Sequence, residues 1–132
     1  MDKLDEIFEM QAALNDDIVK TRNLPEFDMQ TWIQKLTLAT ISELSELIDE
    51  VNFKWWKNEK EVNVDNVRDE IVDIVHFVVS MALRSGMSAQ ELYDRYMAKN
   101  KENFDRQHGR SLKEGYDIRK QGDIPNAPGS MD

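Results

Sequence analysis

Apolar residues recur along the chain at intervals of three and four, the spacing of one face of an α-helix. No stretch alternates, or gathers β-branched residues between turn signals, as a strand would. The pattern predicts an all-α fold, a bundle of four main helices. A first helix is expected from about Lys3 to Thr21, ended by Arg22, Asn23 and Leu24, because the residue before Pro25 leaves the helical region. Asp28 has the chemistry of an N-cap for a long second helix reaching about Trp56, and the polar run Lys57 to Asn63 reads as a loop. A third helix runs from Val64 or Asp65 to Arg84 and stops at Ser85 and Gly86. Ser88 with Glu91 forms a capping box for a fourth, reaching about Gln107. Past Gly109 the pattern becomes irregular, so residues 1–121 are expected to be a single domain and 122–132 a C-terminal tail.

Composition narrows the function classes. With 132 residues, 40% of them hydrophobic, the chain can bury one modest core, to which a partner subunit or a bound group would add. It has no cysteine, which excludes a disulfide framework, a thiolate metal site and a cysteine nucleophile. No apolar run is long enough for a membrane span and the N-terminus lacks a signal-peptide layout, so a cytoplasmic protein with no membrane partner is expected. The net charge of -9 argues against a nucleic-acid polymer as partner, since phosphate backbones are bound by surplus Lys and Arg. That charge is unevenly distributed: Glu43 to Asp73 carries ten acids against four bases, and Arg95 to Lys120 eight bases against four acids.

The acidic stretch has a geometry. At about 100° per residue, Glu43, Glu46 and Glu50 lie within roughly 60° on one side of the second helix, bordering Leu44, Leu47, Ile48 and Val51. On the third helix Glu70, Asp73 and Phe77 occupy the corresponding arc. If the two seams pack together, Glu43, Glu46, Glu70 and Asp73 converge. Crowded carboxylates repel one another unless compensated, and a divalent cation with hard oxygen ligands, Mg2+ or Mn2+, is the natural remedy. A solvated acidic face is the plainer alternative. A di-iron bundle is another, because Asp73-x-x-His76 resembles half of its ligand pattern.

Two other patterns carry chemistry. Gln11 and Asn15 sit in the middle of the apolar stripe formed by Leu4, Ile7, Phe8, Leu14 and Ile18. Buried amides need partners for donor and acceptor alike, either from a neighbouring helix or from the imide or amide edge of a ligand such as a pyrimidine. On the fourth helix Lys99, Asn103 and Arg106 share a face suited to phosphate and sugar, or simply to solvent. The run Phe53-Lys54-Trp55-Trp56-Lys57 offers aromatics that could wall a base and lysines that could touch phosphate, or else core aromatics near a helix end.

Taken together, Glu43-x-x-Glu46, Glu70-x-x-Asp73-Ile74-Val75-His76-Phe77, the Phe53 to Lys57 run, and Lys99-Asn100-x-x-Asn103-x-x-Arg106-Gln107 followed by Gly115-Tyr116 resemble the dimeric all-α dUTPases of bacteria and phages. These lie within the MazG-like nucleoside-triphosphate pyrophosphatases. The likeness spans about Leu4 to Tyr116. It implies a homodimer that hydrolyses dUTP, and dUDP, to dUMP with Mg2+ held by Glu43, Glu46, Glu70 and Asp73. It further implies contacts from Gln11, Asn15 and Asn103 to uracil or deoxyribose, with Trp55 and Phe77 lining the base pocket. Lys54, Lys57, Lys99, Arg106 and Tyr116 would handle phosphates or sugar, some of them from the partner subunit. Glu46 is the expected water-orienting base. The competing expectations are a MazG-like house-cleaning enzyme acting on other dNTPs, and a non-catalytic helical dimer that binds a regulatory protein.

Overall fold

The computed structural model describes residues 1–118, so the expected tail at 122–132 lies outside the described residues. Four helices occur in order: α1 Lys3–Thr21, α2 Met29–Asp49, α3 Val64–Arg84 and α4 Ala89–Gln107. Among the described residues there is no strand, and the fold is all-α.

Each helix starts where a short polar side chain can satisfy a free backbone N–H. Asp2 and Asp5 cap α1 reciprocally, the Asp5 amide donating to Asp2 Oδ1 at 2.9 Å. Asp28 accepts from Thr31 at 2.8 Å, Asn63 from Asn66 at 3.1 Å and Ser88 from Glu91 at 3.1 Å. α3 ends in a Schellman motif: Gly86, at φ +85°, donates to Leu83 and Met87 donates to Ala82, both at 3.0 Å. The side chains of Met87 and Ala82 meet in the core beneath this turn.

α2 is shorter than its apolar pattern predicts, ending at Asp49 rather than near Trp56. The cause is Asn52, which takes the left-handed conformation at φ +57°, a region that Asn tolerates better than most residues. Its side-chain amide bonds the backbone of Lys60 in both directions, donating to the carbonyl at 2.7 Å and accepting from the N–H at 3.0 Å. The aromatic run that would have extended the helix is instead carried on a closed loop.

The described chain divides into two compact units, Met1–Leu92 and the residues from Tyr93 on, with the boundary inside α4. In the first unit α3 is central, with α2 packed along it on one side and α1 on another. Its core is small: Phe8, Val79, Ala82 and Ala89 are buried, and Leu4, Leu83, Met87 and Leu92 pack against them. Large apolar side chains on all three helices, among them Met10, Leu14, Leu38, Ile41, Val72 and Val75, are exposed in the single chain.

The second unit is held by charge. Glu102 accepts from Ser111 Oγ at 2.7 Å and from Arg106 Nε at 3.1 Å, bonds that hold its carboxyl below the usual range. Asp105 pairs with Lys101 at 2.9 Å and Arg110 at 3.0 Å. Gly109, at φ +71°, terminates this segment, and a Cβ there would sit 3.1 Å from the Ile118 side chain.

No single helix among the described residues is long and apolar enough to cross a membrane.

Candidate active site

The packing of α2 against α3 brings carboxylates together. Oxygens of Glu43, Glu46 and Glu70 all lie within 4.8 Å of one another. Asp73 is outside that close group, yet its charge is felt at both Glu43 and Glu70. One oxygen of Glu43 and one of Glu70 are buried without a hydrogen-bond partner. Desolvation chiefly, then the facing Glu43 carboxyl and the neighbouring charges, push Glu70 up to about 7. Glu43 is raised as well, first by desolvation and then by Glu46.

Such an arrangement opposes the folding of the bare chain, because each added negative charge meets others in a poorly solvated place. Buried oxygens with unused lone pairs, all of them hard donors, have the composition of a divalent-cation site. The residues present therefore fit a metal ion. The di-iron alternative loses its basis, because His76 is engaged elsewhere.

His76 belongs to a polar cluster on the neighbouring face of α3, between α3 and α1. Its Nδ1 lies 2.8 Å from Gln11 Oε1, an acceptor, so Nδ1 carries the proton. Gln11 Nε2 donates to Asn15 Oδ1 at 3.0 Å, and Asn15 Nδ2 donates to Ser80 Oγ at 3.2 Å. Ser80 in turn donates to the His76 carbonyl at 2.8 Å. The two amides that interrupt the apolar stripe of α1 are thus matched by a histidine and a serine spaced four apart on α3. Gln11 is only 7% exposed, and the relay answers the cost of burying it.

The relay borders a cavity of about 280 Å³, walled by Leu14, Ile18, Leu24, Leu36 and Phe77 and closed at one end by Trp32 and Arg84. The Arg84 guanidinium lies over the Trp32 ring at 4.0 Å. Phe77 stands one helical turn from Asp73, so an apolar ring and a polar edge adjoin the carboxylate stretch of α3. Gln11, Asn15 and Phe77 are therefore brought together as one pocket. His76, Ser80, Trp32 and Arg84 complete it and were not read as site residues from the pattern. Ser80 was legible only as a lone hydroxyl within the apolar run Val78 to Ala82.

Trp55 does not line this cavity. It stands 85% exposed on the loop after α2, edge-on to Trp56 at 4.7 Å, which in turn meets Phe53 at 6.2 Å. Lys54 and Lys57 line a second cavity within that loop, of about 390 Å³. Lys99, Asn103, Arg106 and Tyr116 lie in the second unit. There Arg106 stacks over the Tyr116 ring at 5.1 Å and approaches Asn103 Oδ1 at 3.5 Å, while Lys99 is exposed.

A family model described as dUTPase matches residues 3–91, a stretch that includes the carboxylates, the amide relay and the aromatic loop and ends before Lys99. A dCTP pyrophosphatase of Enterobacteria phage T4 is 36% identical over 84 residues, an alignment covering 53% of this chain and 49% of the phage protein. The chain thus spans about half the length of that relative. No solved structure matches the chain significantly.

Proposed function

The chain belongs to the all-α dUTPase family, and from that premise we propose that it hydrolyses dUTP, and dUDP, to dUMP, cleaving a phosphoanhydride bond next to the α-phosphate. The observation that carries the reading is the pairing, on adjoining faces of one helix, of an underneutralised carboxylate trio with a largely apolar pocket of about 280 Å³ edged by amides. Glu43, Glu46, Glu70 and Asp73 would hold Mg2+, the hard cation suited to carboxylates and substrate phosphates. When bound, Mg2+ supplies charge neutralisation at the phosphate oxygens.

The chain's own residues do the rest. Glu43 and Glu70 are half-buried, each with one oxygen shielded from water, whereas Glu46 is exposed and would orient a water and take its proton. Phe77 offers its face to the base. Gln11 and Asn15 each keep a second N–H beyond the relay, which can donate to carbonyl oxygens on the base edge. Lys54, Lys57, Lys99, Arg106 and Tyr116 would neutralise phosphates or hold sugar, and Asn103 and Trp55 would close on the nucleoside, some of these from the partner subunit.

A homodimer is part of this reading. The exposed face formed by Ile7, Met10, Leu14, Val72 and Val75 surrounds a groove of about 390 Å³, and an unpartnered apolar surface of this kind favours association with a second copy. Cytoplasmic nucleotide metabolism is the corresponding setting. The phage relative's name favours a second reading, hydrolysis of dCTP, because an amide side chain can serve either pyrimidine edge. Pyrophosphate release from dUTP, dCTP, dTTP, dATP and dGTP, each with Mg2+, tests both. Turnover confined to dUTP supports the proposal, dCTP as the better substrate supports the second reading, and equal turnover of all five overturns both.

A further inference from the structure

The loop between α2 and α3 holds a side chain whose only evident work is to shape that loop. Asn52 grips the N–H and C=O of Lys60 with both ends of its amide, as a neighbouring strand would, at 3.0 and 2.7 Å. It does so from the left-handed conformation, at φ +57°. Inside the closed loop the Lys57 N–H returns to the Lys54 carbonyl at 3.4 Å, Lys54 Nζ lies 5.8 Å from the centre of the Phe53 ring, and Phe53 and Trp56 meet edge to face. The cavity of about 390 Å³ enclosed there is lined by Lys54, Lys57 and Lys60 with Asn52, Asn58, Phe53 and a single acid, Asp49. Three lysines against one acid give the lining a net positive charge, and the Asn52 bonds to Lys60 tie the two ends of the stretch that carries them.

We propose that Asn52 is a positioning residue for nucleotide binding: by stapling the loop at Lys60 it holds Lys54 and Lys57 in one concave surface that receives the phosphate chain. This rests on the hydrolase reading given above. The staple lowers the entropy that the loop would otherwise lose when the nucleotide binds, so its effect falls on binding more than on the bond-breaking step. Lys60 contributes through its backbone to the staple and through its side chain to the cavity's positive field.

Asn52→Gly separates the staple from the backbone shape, because glycine accepts positive φ without strain but cannot grip Lys60. Asn52→Asp keeps the acceptor for the Lys60 N–H and loses the donor to its carbonyl. In the full-length protein, hydrogen exchange at the Lys60 amide, the melting temperature, and kcat and KM for dUTP are measured for all three forms. The expected result for Asn52→Gly is faster exchange at Lys60, an unchanged melting temperature, and KM raised about tenfold with kcat within about twofold, the size expected for losing two hydrogen bonds' worth of preorganisation. Asn52→Asp should fall between it and the parent. Fast exchange with an unaltered KM overturns the positioning role, as does a fall in kcat at constant KM. Exchange at Lys60 as slow in Asn52→Gly as in the parent overturns the staple itself. Failure of the parent to turn over any nucleotide refutes the hydrolase reading instead, and is told apart because Lys60 exchange still reports the staple.

Discussion

Two adjoining faces of α3 solve opposite problems. Towards α2, Glu70 faces Glu43 and Glu46, and one oxygen each of Glu43 and Glu70 is buried without a partner. Towards α1, His76 and Ser80 meet Gln11 and Asn15 in a relay in which each bond has a donor and an acceptor. One face carries buried oxygens that the protein leaves unpaired; the other is satisfied by the protein alone and has N–H groups to spare. On the function proposed above, the first face would take the charged end of a nucleotide and the second its neutral, hydrogen-bonding end.

The largest test of that contrast is to neutralise the charged face. Glu70→Gln or Glu43→Gln should lower turnover about 10²- to 10³-fold, as loss of a group that organises transition-state charge does. The same variants should melt higher than the parent when both are free of metal, because a repulsion has been removed. A lower metal-free melting temperature would show that the trio is not strained. The opposite response is expected on the neighbouring face: Gln11→Leu strands His76 Nδ1 and Asn15 Oδ1 and should cost roughly 1–3 kcal/mol in urea unfolding. If Gln11→Leu proved as stable as the parent, the relay would not be the stabilising face.

Acidity sharpens the comparison next. Glu70 titrates near 7 in the folded metal-free chain and at 4.5 when unfolded, so between those values the folded form keeps a proton that the unfolded form has lost. Metal-free stability should therefore decline as pH rises from about 4.5 through 7. Binding of Mg2+ needs the deprotonated carboxylates, so its affinity should weaken below pH 7, with proton release on binding. Calorimetric titrations in buffers of different ionisation enthalpy measure that release, and its absence near pH 6 would remove Glu70 from the site. The smallest effect is at the pocket's closed end, where Arg84→Ala should cost roughly 0.5–1 kcal/mol through the lost stacking on Trp32.

Much of this was legible in the residues. Caps at Asp28 and Ser88 and the stop at Gly86 act within a few positions of themselves, so helix limits follow from local chemistry. The carboxylate convergence followed from phase alone, since Glu43 and Glu70 border apolar seams that must pack. Asn52 was not legible, because its reason for ending α2 is the backbone of Lys60, eight residues on. Gln11 and Asn15 declared themselves by standing among apolar residues, yet their partners could be found only once α3 lay beside α1. Lys99 and Arg106 share a helix face by pattern, but that Arg106 is spent on Glu102 and the Tyr116 ring follows from the fold of the second unit, not from the spacing.

The relay on α3 has one more property. It leaves His76 by the ring and returns to it by the carbonyl, with every proton pointing the same way around. In the reverse circuit, with both amides turned end for end and the imidazole proton on the other nitrogen, the Ser80 proton would go to Asn15 and leave Ser80 Oγ 2.8 Å from the His76 carbonyl, two acceptors with no proton between them. A backbone carbonyl can only accept, so it fixes the handedness of the whole circuit. A visitor to the pocket meets a wall whose polarity is set by the main chain of α3.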